Sequence, residues 1–159
     1  MESNRAWKEG AVAGVLAYVA VAGFFALLNL TLGRSPFATA FLMGKALGAG
    51  APGPSAEIGV VLAANGLHLL VSLAVGIAAA FLIFEVEHHH GLWYAVLLAF
   101  LGGFFLSIVV VGTLGAEIAS VATWPQIAVA NTIGALVMGA YLGRMHRSLL
   151  GDIRRELEA

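Results

Sequence analysis

Four stretches of this chain run for the length of a bilayer crossing without one fixed charge: Gly10 to Leu32, Ile58 to Phe84, Leu92 to Gly112 and Trp124 to Gly143. A crossing helix needs about 20 mostly apolar residues. Its backbone must hydrogen-bond internally, because hydrocarbon offers no partner. Each stretch is therefore predicted to be a membrane-spanning α-helix. Glu57 and Glu85 bound the second, Pro125 takes a first-turn position in the fourth, and Arg144 closes it.

Composition supports the same reading. The chain is 60% hydrophobic and only 11% charged, where soluble domains carry about 25% charged residues. One core could not hide that much apolar surface. The expected fold is an all-α integral membrane four-helix bundle, one domain over residues 1–159. A net charge of −1 supplies no basic field for nucleic acid. The absence of cysteine removes thiol catalysis, disulfide exchange, iron–sulfur ligation and zinc–thiolate sites. The first apolar run lacks a small-residue cleavage site after a short core, so it is expected to be a retained helix.

Between the first two spans, Pro36, Pro52, Pro54 and the Gly48–Ser55 run break the pattern. The apolar half of this linker, Pro36 to Leu47, is too short to span and predicts an interfacial or re-entrant helix. Arg5, Lys8, Arg144, Arg147, Arg154 and Arg155 fall on one side of the predicted topology, and only Arg34 and Lys45 on the other. The richer side is expected to be cytoplasmic, with both termini there. Trp7, Trp93 and Tyr94 then sit at the inner interface and Trp124 at the outer one. The tail, residues 145–159, places Leu149, Leu150, Ile153 and Leu157 at near-helical spacing among arginines, which predicts an amphipathic surface helix.

Every Asp, Glu, Lys and Arg lies outside the four spans or at their boundaries. Ion-coupled transporters usually need an ionisable group at membrane depth. His68 is the one such candidate, roughly 16 Å into its span at about 1.5 Å per residue. Asn65, His68 and Ser72 share its face at i, i+3 and i+7, and Asn131 and Thr132 reach comparable depth in the fourth span. Asn29 and Ser107 also fall in the outer half. Such groups serve as interhelical hydrogen-bonding glue. Alternatively, Asn65, His68, Ser72 and Asn131 form a site for a hydrophobic cofactor (haem, quinone or a chlorophyll-type pigment) with His68 as ligand or donor. The Glu85–Gly91 loop holds Glu85, His88 and His89 at i, i+3 and i+4, which could grip one divalent cation if the helix continues. A hydrated helix end is the simpler account of that loop. The small-residue pairs Gly10/Gly14, Gly44/Gly48 and Gly139/Gly143 allow close helix approach, and some are expected to face another subunit.

Arg5 to Gly10 opening the first span, Gly33 to Phe37 after it, Gly66 to His68 in the second and Gly139 to Arg144 closing the fourth carry a resemblance. By these motifs the chain resembles small uncharacterised bacterial membrane proteins with four predicted transmembrane helices. The resemblance covers nearly the whole chain. It implies the topology and a bacterial inner (cytoplasmic) membrane, and carries no activity.

These features lead to an expected non-catalytic role, as an accessory or structural subunit of a larger membrane complex such as a respiratory or photosynthetic electron-transfer assembly. The lipid bilayer, other membrane subunits or further copies of the chain are the expected partners. A stand-alone cofactor-binding protein centred on His68 is the second class. A small oligomeric channel or transporter is the third, although the polar stripe fades into Val75, Ala78, Ala79 and Leu82. No nucleophile–base pair or carboxylate dyad stands at membrane depth to suggest an enzyme.

Overall fold

A computed structural model of the chain describes residues 2–48, 54–88, 94, 103 and 122–147. Among the described residues the secondary structure is helical with no strand, in four elements: α1 (Glu2–Thr31), α2 (Ala38–Ala46), α3 (Pro54–His88) and α4 (Trp124–Met145). Three helices are long and apolar enough to cross a membrane: α1 from Ser3, α3 from Glu57 to Glu87, and α4. The expected third span, residues 92–112, lies outside the described residues except for Tyr94 and Gly103, both helical. Ser107 and His89 also lie outside them, as does the tail beyond Arg147.

Local sequence explains where the helices start and stop. α1 ends where Gly33 takes a left-handed backbone, φ 68°, a conformation glycine adopts without strain. The Arg34 N–H then reaches the Asn29 carbonyl at 2.8 Å and the Gly33 N–H the Leu30 carbonyl at 3.0 Å. This paired closure satisfies carbonyls that the last turn leaves open. α3 starts at Pro54, which needs no N–H partner there. At the start of α4 the Thr123 N–H donates to Gln126 Oε1 at 2.8 Å, one arm of a capping box.

Two boundaries differ from the apolar stretches. α1 begins eight residues before Gly10, and α3 runs from before Glu57 to beyond Glu85. Lys, Arg and Glu are good helix formers, so a helix need not stop where hydropathy falls. As a result Arg5, Lys8, Glu9, Glu85 and Glu87 are helical side chains rather than loop residues.

α1 and α3 cross on glycine. A Cβ added to Gly10 would lie 2.5 Å from Ile77 Cα, and one on Gly14 would lie 2.5 Å from the Ser72 carbonyl oxygen. A Cβ on Gly76 would strike the Gly10 carbonyl and the Gly14 backbone. The two backbones are therefore in direct contact, as small residues permit. α4 packs onto α1 at Gly134, beside Val21 and Ala17. Ala13, Ala17, Ala80, Met138 and Leu142 form the core joining all three helices. The short helix α2, expected from Pro36–Leu47, rests its Gly44 against Val60 of α3. Asn29, 2% exposed, ties α2 to α1 by donating from Nδ2 to Thr39 Oγ1 at 2.9 Å. Large apolar side chains point away from this core on every long helix, among them Leu27, Leu62, Leu70 and Leu136.

Candidate functional site

Two polar clusters are built on these helices. The first lies at the end of the bundle where α1 starts and α3 and α4 finish. His146 follows α4 directly and is 3% exposed. Its Nε2 stands 2.8 Å from Glu9 Oε2 of α1, and its Nδ1 stands 2.8 Å from Glu87 Oε1 of α3. Glu9 also accepts from Arg5 Nε at 2.7 Å, one helical turn away. The Phe84 ring closes the site edge-on, its centroid 4.8 Å from that of His146, and the Arg5 guanidinium stands 5.8 Å from the same phenyl ring.

The geometry fixes what this cluster can do. A neutral imidazole has one N–H and can satisfy one of two carboxylates. With protons on both nitrogens it donates to both, and Arg5 and His146 then balance Glu9 and Glu87. Such charge-assisted contacts are among the stronger hydrogen bonds. The two carboxylates meet opposite edges of the ring, so they do not converge on a point where a metal or substrate could sit. The arrangement joins three helix ends.

The second cluster lies midway along α1 and α3. Tyr18 donates its hydroxyl to Asn65 Oδ1 at 3.1 Å, and Asn65 donates from Nδ2 to the Val61 carbonyl at 2.9 Å. The half-buried His68 ring meets Tyr18 edge-on, with centroids 5.3 Å apart. Two of the residues expected at a cofactor site, Asn65 and His68, are thus brought together, with Tyr18 added. Ser72 is half-buried further along α3, at the glycine crossing. Asn131 stands half-buried on α4, and Thr132 donates to its own helix at the Ala128 carbonyl, 2.8 Å away. Asn29, also expected in the polar set, is engaged with Thr39 instead.

Of the residues read as metal-competent, Glu85 is exposed near the end of α3, His88 is the last residue of that helix, and His89 is outside the described residues. Among the described residues no three His, Asp or Glu side chains are grouped to hold one metal ion. Of the glycine pairs, Gly10/Gly14 faces inward against α3, Gly44 meets α3 and Gly48 turns the chain with φ 76°, whereas Gly139 opens onto space.

Sequence reasoning passed over His146, Glu9 and Glu87 as a group. The signal was available: Glu9 precedes the first apolar stretch of the sequence, while Glu87 follows the second and His146 the fourth. An alternating path puts all three at one end of the bundle.

Fold and clusters together define an α-helical protein with three helices suited to a membrane and tied to one another by interhelical polar contacts. The chain matches no protein-family model, no curated protein and no solved structure.

Proposed function

We propose that this chain is a non-catalytic accessory or structural subunit of a larger assembly in a bacterial cytoplasmic membrane, such as a respiratory or photosynthetic electron-transfer complex. In this reading it crosses four times, with residues 92–112 as the third span and both termini in the cytoplasm. One observation carries the proposal: several polar side chains engage partners on a neighbouring helix. Asn29 meets Thr39, Tyr18 meets Asn65, and Arg5, Glu9, His146 and Glu87 form one network. Such contacts hold a bundle together, while apolar side chains such as Leu62 and Leu136 remain available to lipid or neighbouring subunits.

Co-purification from native membranes in mild detergent, with mass spectrometry, tests this. The expected result is a fixed set of membrane proteins in constant ratio to this chain. A monomer under every extraction condition overturns the proposal.

A second reading has His68 holding a hydrophobic cofactor. It is favoured by the half-buried imidazole beside Tyr18 near the middle of α3. Its test is the absorption spectrum of the purified protein, with solvent extraction for quinone. A Soret or chlorin band lost in His68→Ala supports this reading, and a colourless, quinone-free preparation removes it.

A further inference from the structure

Formal charge at the His146 end of the bundle is nearly balanced, but its placement is not. Glu9 is 8% exposed and Glu87 has a side chain 24% exposed, both turned inward onto His146. The cations stay outside. Arg5, with a side chain 57% exposed, and Lys8 project from the first turns of α1, and the exposed Arg144 and Arg147 stand on either side of His146 in sequence. The contacts of His146 with Glu9 and Glu87 bring these helix ends together. Glu85 is the one exposed acid among the described side chains at this end. Among the described side chains at this end, folding thus turns Glu9 and Glu87 inward and leaves four exposed cations against one exposed acid.

Beside the rim stands Trp7, 52% exposed and edge-on to Phe81 with ring centroids 5.7 Å apart. An indole that is partly apolar and partly polar suits the headgroup level of a bilayer. Exposed Met145 lies between the basic Arg144 and the buried His146 in sequence, and the apolar sides of α1 and α4 continue along the bundle from there. Long Arg and Lys stems can lie along such surface while their charges reach outward.

We infer that this end of the bundle docks the headgroup of an anionic phospholipid, held by Lys8 of α1, by Arg144 in the last turn of α4 and by Arg147 just beyond it. The rim supplies charge for the phosphate, and the helices below supply apolar surface for the acyl chains. A soluble anion would use only the first of these. The inference rests on the chain lying in a membrane and is independent of any partner subunit.

The test is native mass spectrometry of the full-length protein in detergent, titrated with phosphatidylglycerol or with phosphatidylcholine of the same acyl chains. Phosphatidylglycerol adducts are expected to be the tighter, and to weaken as salt is raised. Each basic group near an anionic surface contributes about a fivefold factor. The Lys8→Gln/Arg144→Gln/Arg147→Gln variant should therefore lose on the order of a hundredfold of its phosphatidylglycerol affinity. These side chains are exposed, so the fold should survive, and Arg147→Gln alone serves should the triple variant fail to fold. Arg34→Gln/Lys45→Gln, near the opposite end, should bind as the unaltered protein does. Equal affinity for the two lipids overturns the inference. An equal loss in the Arg34/Lys45 variant does so too, as does displacement of phosphatidylglycerol by inorganic phosphate at matching concentration.

Discussion

A histidine between two carboxylates has little freedom. His146 makes two 2.8 Å contacts and is almost wholly enclosed, so removing it leaves Glu9 and Glu87 facing an emptied site. Leaving a buried hydrogen-bonding group without its partner costs about 1–3 kcal/mol. His146→Ala should lower stability by about 2 kcal/mol in detergent-based unfolding, since Glu9 keeps Arg5 and Glu87 is partly exposed. Adding Glu87→Gln should restore part of the loss, since the second substitution removes a carboxylate that has lost its contact to the imidazole. Full additivity of the two substitutions would mean that they do not share a network. The span pattern puts the three residues at one end of the bundle but does not say that they touch. His146 stands two residues past Arg144, where hydropathy reads only the end of a helix. Its role comes from two residues more than 50 positions away in sequence.

At the level of the helices, the sequence was a good guide to where α1, α3 and α4 run and a poorer guide to their ends. Charge-free stretches locate hydrocarbon-compatible helix, but helix formation itself continues through Arg5, Lys8, Glu9 and Glu85. The short α2 was foreseen from its apolar length between prolines, whereas its anchoring through Asn29 and Thr39 was not, because that contact depends on how the chain turns at Gly33. The glycines were recognised as close-approach positions, but sequence could not say which face meets which helix. The structure separates them, and substitution should follow. Gly76→Val drives a side chain into the Gly10 carbonyl and the Gly14 backbone, where nothing can rotate away. Overpacking of this kind costs about 1–3 kcal/mol and can cost more. Gly139→Val meets open space and should shift the stability of the isolated protein by about 0.5 kcal/mol or less. Equal melting temperatures for the two variants would place the α1–α3 crossing elsewhere.

The whole molecule inverts the arrangement of a soluble domain. Its core is built on Ala13, Ala17 and Ala80, while Leu27, Ile58, Leu62, Leu70 and Leu136 are each about two-thirds exposed. Water would penalise that outer surface at roughly 25 cal/mol per Å² of apolar area, whereas lipid would not. The protein should remain with the membrane pellet through alkaline carbonate washing and leave it only with detergent. Recovery as a folded, monodisperse species in the wash would contradict the spans. This level was the most legible of the three, because it depends on composition summed over long stretches rather than on any one contact.

Side chains turn about their bonds, but peptide groups in a helix do not. Where Gly10, Gly14 and Gly76 bring two main chains together, the joint contains no rotamer to flip and no flexible stem to bend. α1 and α3 should therefore travel as a single rigid beam. Any breathing of the described bundle would have to come from α4 swinging on its softer seam of Met138, Leu142 and Val21, with the imidazole at its foot acting as the clasp.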